Sequence, residues 1–249
     1  MIIKKIIPES SIDYRDKFGP VIFTSGCNFK CPTCHNPELI KFDEKSNNPK
    51  ELTNELKNLK IKTDNGWYNG VCITGGEPTI HKNLPELIMK FKEIGLSVKL
   101  DTNGSNPGML KKLLGEKLID YVALDIKSNP ELYSKVCGVD VDLAKIEESI
   151  KILSKLKKYE FRTTVVPIFD NGKFRWFTEK EVGDMVNWVK ERGGGGVWVL
   201  QSFVSRDKNE ILDEKFCKNK LPAEMHETPK NILEKFQKII SKYFDCEIR

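Results

Sequence analysis

The chain has 249 residues, 39% of them apolar, which is enough to bury one sizeable core within a single domain of ordinary size. Its 41 basic and 36 acidic residues leave a net charge of +5, dispersed without a block of like charges, and so weak a surplus gives no reason to expect a nucleic acid partner. Met1-Ile-Ile-Lys-Lys-Ile-Ile-Pro8 interrupts its apolar residues with two lysines, and no later segment has the length and apolarity to span a bilayer, so a cytoplasmic protein with no membrane partner is expected. In a reducing compartment its seven cysteines read as metal ligands or catalytic groups before they read as disulfides.

Six short runs of β-branched and aromatic residues predict strands at 20–25, 70–74, 97–102, 120–126, 161–167 and 197–203. A segment of helical period follows each run, and this alternation is that of an α/β protein built from parallel βα units. The near-continuous apolar runs Val122-Ala-Leu and Val197-Trp-Val-Leu suit strands covered on both faces.

The helices carry their own punctuation. Asn83 is the expected N-cap of a helix around Leu87, Ile88 and Phe91 that stops at Gly95, and Asn106-Pro107 opens the next, which Gly115 closes. Leu143, Ile146, Ile150, Leu153 and Leu156 form an apolar stripe at helical spacing. Thr178 and Glu181 make a capping-box pattern ahead of Val182, Met185 and Val189, with the glycine run 193–196 as the stop. A last helix is expected from Thr228-Pro229, burying Ile232, Leu233, Phe236 and Ile239. No repeat or linker divides the chain, so residues 1–249 read as one domain with 204–249 as a C-terminal extension of loop and helix. The irregular part, 204–227, is either a lid or a plain connection.

Directly after the first predicted strand comes Cys27-Asn-Phe-Lys-Cys31-Pro-Thr-Cys34-His35. Loops at the C-terminal ends of parallel strands are where α/β folds place their ligands. Three such close thiols can each bind one iron of a cubane cluster and leave the fourth iron open to a substrate or cofactor. A structural zinc site would want a fourth protein ligand, and no second Cys-x-x-Cys follows; His35, adjacent to Cys34, is awkwardly placed to close a tetrahedron. Cys31-Pro-Thr-Cys34-His35 also matches the c-type haem attachment pattern, which would require an exported chain, and the N-terminus shows no signal peptide pattern. Unligated thiols are the remaining reading. Cys72, Cys137, Cys217 and Cys246 are isolated from one another, Cys72 reads as core, and no auxiliary cluster is expected.

Together with Thr74-Gly75-Gly76-Glu77-Pro78, the cysteine triplet resembles the radical S-adenosylmethionine superfamily. The block from Val21 to Leu39 looks more narrowly like the activating enzymes of glycyl-radical proteins. It is most similar to the activating protein of anaerobic ribonucleoside-triphosphate reductase, with pyruvate formate-lyase activating enzyme close behind. Asp101-Thr102-Asn103-Gly104 and Asp125-Ile-Lys127 extend the likeness, which reaches the sixth strand and does not go beyond residue 204.

The resemblance implies a partial (β/α)6 barrel with a 4Fe-4S cluster on Cys27, Cys31 and Cys34. S-adenosylmethionine would chelate the open iron, and reductive cleavage would give a 5′-deoxyadenosyl radical that takes hydrogen from a glycine of a partner enzyme. Flavodoxin or ferredoxin is the implied electron donor. The glycines at 75 and 76 would admit close backbone approach to the ammonium group, and Glu77 would add charge or brace the turn. Thr33 and His35 would flank the adenine. Asp101, Thr102, Asn103, Asp125 and Lys127 would border the methionine carboxylate, the ribose and a monovalent cation, with Lys127 as carboxylate partner. Arg162 and Gln201 could face this site or be barrel polar groups, while His81 and His226 read as silent surface residues. The rival readings are a radical enzyme acting on a small molecule or peptide, as a deazaguanine synthase does, and a metal-binding module without catalysis.

Overall fold

All six predicted strands form in the computed structural model, within two residues of their expected bounds at every end. The structure describes residues 3–42, 49–205 and 221–249, of which 49–53 are described as backbone alone. Most of the stretch read as lid or connection, including Cys217, lies outside the described residues. The chain divides into two compact units, Met1–Asn28 with Glu38–Ala123, and Phe29–Pro37 with Leu124–Arg249.

In the first unit the elements follow as β1 (Ile3–Ser10), β2 (Gly19–Thr24), α1 (Pro49–Asp64), β3 (Gly70–Gly75), α2 (Leu84–Glu93), β4 (Ser97–Thr102) and α3 (Pro107–Gly115). The strands lie in the order β1-β2-β3-β4, with β2, β3 and β4 parallel and β1 antiparallel to β2. Ile22, Ile73, Val98 and Leu100 are fully buried, as parallel strands covered on both faces require. Edge strand β1 was not among the predicted elements. Its residues are half-buried or exposed and Pro8 interrupts it, so it lacks the apolar continuity by which the others are read. Asn106 caps α3, its side chain accepting from Met109 N. Asn83 occupies the N-cap position of α2, but its side chain makes no capping bond.

Strand β5 (Tyr121–Asp125) contains the boundary between the units. The second unit continues with α4 (Tyr133–Cys137), α5 (Leu143–Leu153), β6 (Tyr159–Val165), β7 (Ile168–Asp170), β8 (Lys173–Arg175), α6 (Glu179–Glu191), β9 (Val197–Ser202), α7 (Lys230–Ile240) and β10 (Asp245–Ile248). Strands β6, β9 and β10 are parallel neighbours in that order. The expected capping box opens α6, and Val182, Met185 and Val189 are buried beneath it. Asp142 caps α5, which ends at Leu153, short of Leu156. Leu233, Phe236 and Ile240 are the buried stripe of α7, while Ile232 and Ile239 are half-buried.

Two features here were also absent from the sequence reading. β7 and β8 form a hairpin whose turn, Asn171-Gly172, has φ of 49° and 78°, the left-handed pair that a two-residue hairpin turn demands. The segment after α7 does not end as loop and helix, because Asp245–Ile248 pairs with Val197–Leu200. Four residues with two charges are too short and too polar to show a strand period. Among the described residues no helix is long and apolar enough to cross a membrane.

Candidate active site

Cys27 leaves the end of β2 through a loop that the turn after β3 holds in place. Gly76 N donates to Thr24 O at 2.9 Å and Glu77 N to Gly26 O at 2.8 Å, while Gly26 N and Cys27 N donate to Leu39 O and Ile40 O. A Cβ on Gly76 would lie 2.0 Å from Gly26 O, and one on Gly75, at φ +120°, would lie 2.3 Å from Thr24 N. The close approach that these glycines permit is therefore to the cysteine loop itself. Pro78 is buried at the start of the short turn Pro78–Ile80.

Glu77, 1% exposed, uses its carboxylate within the chain. Oε1 accepts from Thr79 N, Thr79 Oγ1 and Thr102 Oγ1, the last at 2.7 Å, and Oε2 accepts from Asn103 N at 2.6 Å. Burial raises its pKa, and these donors work against the rise. Of the two roles weighed for Glu77, bracing is the one its hydrogen bonds perform. The Asn103 side chain donates to Asn28 Oδ1 at 3.0 Å and accepts from Ser105, and Asn28 donates back to Ser105 Oγ at 2.8 Å. Asn28 was missed as a site residue, since in sequence it reads as a spacer between two cysteines. Asp101 points elsewhere, into an ion pair of 3.2 Å with the equally buried Lys99.

His81 is not the surface residue expected from sequence. It is buried, its Nε2 lies 2.9 Å from Ser25 O, and Phe42 packs edge-on against its ring. Burial lowers its pKa, with the Ser25 contact opposing. His226 is half-buried, with Nε2 3.2 Å from Leu221 O.

In the second unit Cys34 N donates to Cys31 O at 3.1 Å, Thr33 is buried, and His35 stacks on Phe203 with ring centroids 5.8 Å apart. Cys31 lies against Cys137, at the end of α4. A hydrogen bond from the Cys137 thiol draws the Cys31 thiol down to about 7, with burial opposing and Lys127 assisting. Asp125 is held between two cations, Lys127 Nζ at 2.8 Å and Arg162 Nε at 2.7 Å. Burial alone would raise the Asp125 pKa, but Arg162 and Lys127 override it and hold the carboxyl well below the usual carboxylate range. Burial works against the charge of Lys127, and Asp125 more than offsets it, so the Lys127 pKa is raised. Arg162 thus belongs with Asp125, whereas Gln201 accepts from Thr164 at 3.4 Å.

Cys27, Cys31 and Cys34 are half-buried thiols. With Cys31 easily ionised, this donor set fits the soft, anionic ligands that iron-sulfur clusters take. No three His, Cys, Asp or Glu side chains among the described residues are gathered around a position for a single metal ion.

Residues 21–189 match the sequence profile of the radical SAM superfamily. The chain belongs to the radical SAM superfamily. Membership makes it a radical SAM enzyme and implies a 4Fe-4S cluster and S-adenosylmethionine. A Methanocaldococcus jannaschii protein provisionally named a glycyl-radical enzyme activating enzyme is 33% identical over 98% of this chain and 93% of its own length. The pyruvate formate-lyase-activating enzyme of Streptococcus mutans is 27% identical over 63% of the chain and 73% of its own length. A Thermococcus kodakarensis protein provisionally named a GTP 3′,8-cyclase is 32% identical over 72% of the chain, which spans only 56% of that protein. Among solved structures, Streptococcus suis SuiB bound to S-adenosylmethionine superposes with a TM-score of 0.65 at 15% identity, covering 92% of this chain and 49% of SuiB. That likeness shows the radical SAM fold, mostly parallel strands with surrounding helices.

Proposed function

We propose that this radical SAM enzyme activates a glycyl-radical protein, with Cys27, Cys31 and Cys34 as the thiolate ligands of its cluster. The observation that carries the reading is the likeness to the M. jannaschii protein, which runs along nearly the whole of both chains. When bound, the reduced cluster and S-adenosylmethionine supply a 5′-deoxyadenosyl radical that takes a hydrogen atom from the glycine α-carbon.

The chain's own residues bind and orient. Thr33 and His35 would flank the adenine. The Gly75-Gly76-Glu77-Pro78 turn holds the Cys27 loop, and Thr102 and Asn103 are tied to it through Glu77. Lys127 would meet the methionine carboxylate, kept in position by Asp125. Both aspartates already face cations of the chain, Asp101 through Lys99 and Asp125 through Lys127 and Arg162, so neither needs a monovalent cation to balance its charge. The finer proposals are anaerobic ribonucleoside-triphosphate reductase as partner and flavodoxin or ferredoxin as electron donor, and both rest on the likeness of the cysteine block.

A second reading, a small-molecule enzyme of the GTP 3′,8-cyclase kind, is favoured by the T. kodakarensis relative, of which the match covers 56%. The deciding experiment reconstitutes the cluster anaerobically, adds dithionite and S-adenosylmethionine, and quantifies 5′-deoxyadenosine with and without the reductase. Product that is absent from Cys27→Ala, with a glycyl-radical signal on the reductase by electron paramagnetic resonance, is the expected result. Consumption of GTP without any protein radical would select the second reading, and an intact, reducible cluster with no product under any condition would leave a binding module.

A further inference from the structure

The three residues before Cys27 present their carbonyls to one turn. Thr24 O accepts from Gly76 N at 2.9 Å and Gly26 O from Glu77 N at 2.8 Å, both backbone bonds. The carbonyl between them, Ser25 O, meets a side chain instead, His81 Nε2 at 2.9 Å. A carbonyl oxygen only accepts, so Nε2 carries the proton of this bond. His81 N donates to Pro78 O at 3.2 Å and His81 O accepts from Leu84 N at 3.1 Å, which fixes the base of the side chain between the turn after β3 and the start of α2. His81 is 7% exposed, Ser25 is fully buried, and the Phe42 ring lies edge-on to the imidazole with centroids 5.8 Å apart. His81 lies outside both the cysteine and the Gly-Gly-Glu-Pro motifs, and its bond to Ser25 spans 56 residues of chain.

We propose that His81 is a positioning residue for Cys27, its Nε2–H holding the Ser25–Gly26 peptide so that the thiol two residues on is placed in advance for the cluster. The inference rests on the cluster reading given above. That peptide is gripped on both sides, its C=O by His81 and its N–H by Leu39 O at 2.7 Å, so loss of the imidazole donor leaves one grip where there were two. A cluster bound by only three thiolates depends on the placement of each, and groups that orient a metal ligand typically contribute about tenfold to metal affinity. The Gly76 and Glu77 bonds are made by backbone and survive a change of side chain at 81, so a substitution there tests the Ser25 contact by itself.

A buried histidine can also be simple packing with its nitrogen satisfied. The two roles separate in full-length protein reconstituted anaerobically, by the rate at which the iron chelator bathophenanthroline disulfonate strips the cluster, normalised to measured iron and sulfide. His81→Leu fills the space without a donor and should lose iron about tenfold faster than wild type. His81→Gln presents an amide N–H in place of Nε2 and should bring the rate back near wild type. Thr178→Ala, a stability change in the other unit, should lose iron at the wild-type rate. If circular dichroism shows that the leucine variant does not fold, His81→Met takes its place. Wild-type retention in the donorless variant, or a glutamine variant that loses iron as fast as leucine, would overturn the inference while leaving the cluster intact. Faster loss from Thr178→Ala would also overturn it, since retention would then follow overall stability. A wild-type protein that takes up no cluster would overturn the cluster reading and this inference together.

Discussion

The backbone N–H of Asn103 donates to Glu77 Oε2 at 2.6 Å, tying the residue after β4 to the turn after β3. Since Thr79 and Thr102 converge on the other oxygen, this one carboxylate fixes two of the loops that carry the family's motifs. Glu77→Gln would set an amide N–H₂ against N–H and O–H donors. The expected loss is about 3 kcal/mol of unfolding free energy, from charge-assisted bonds removed and donors left buried. Urea unfolding followed by circular dichroism measures it, and a change below 1 kcal/mol would mean the turn is braced by something else.

Gly76→Ala places a methyl 2.0 Å from Gly26 O, and neither backbone can retreat without moving Cys27. A cost of about 1–3 kcal/mol is expected, with lowered iron content after reconstitution. Gly115→Ala, which meets nothing within 4 Å, is the control and should be neutral or stabilising by about 0.5 kcal/mol.

Arg162→Gln removes one of the two cations on Asp125 and should cost about 2 kcal/mol at pH 7, less than a fully broken buried pair because Lys127 remains. The carboxyl is held below its unfolded value, so its contribution is present above about pH 4 and is lost as pH falls through the folded pKa. Both proteins should lose stability together as the unfolded carboxyl protonates, and the gap between them should narrow only below about pH 3, where the folded variant takes up its proton first, in urea midpoints carried down to about pH 2. A gap independent of pH would assign the loss to packing of the arginine stem.

Lys127→Ala should weaken S-adenosylmethionine binding about tenfold, the worth of one charge-assisted contact to a carboxylate. Calorimetry on the reconstituted protein gives the affinity, and an unchanged value would take Lys127 out of the site.

Thr178→Ala breaks the capping box of α6, in which Thr178 Oγ1 accepts from Glu181 N at 3.2 Å and Glu181 Oε2 from Thr178 N at 2.7 Å. About 1 kcal/mol of stability should go, with 5′-deoxyadenosine formation per cluster unchanged.

What the amino-acid sequence determined by itself are the features written in local pattern. The six buried strands, the caps at Asn106 and Thr178, and the cysteine and Gly-Gly-Glu-Pro motifs each depend on residues a few positions apart, so spacing alone exposes them. Even the Asn171-Gly172 turn was locally encoded, although its three-residue strands are too short to draw notice. Only the tertiary structure decided the rest. Edge strands β1 and β10 owe their conformation to a neighbouring strand and carry almost no period of their own. The bonds of Glu77 to Thr102 and Asn103, the pairing of Asp125 with Arg162, the contact of His81 with Ser25 and that of Cys137 with Lys30 each join residues far apart in the chain. A side chain's hydrogen-bonding capacity can be read from its identity, but which group satisfies that capacity is settled only when the backbone brings the two together.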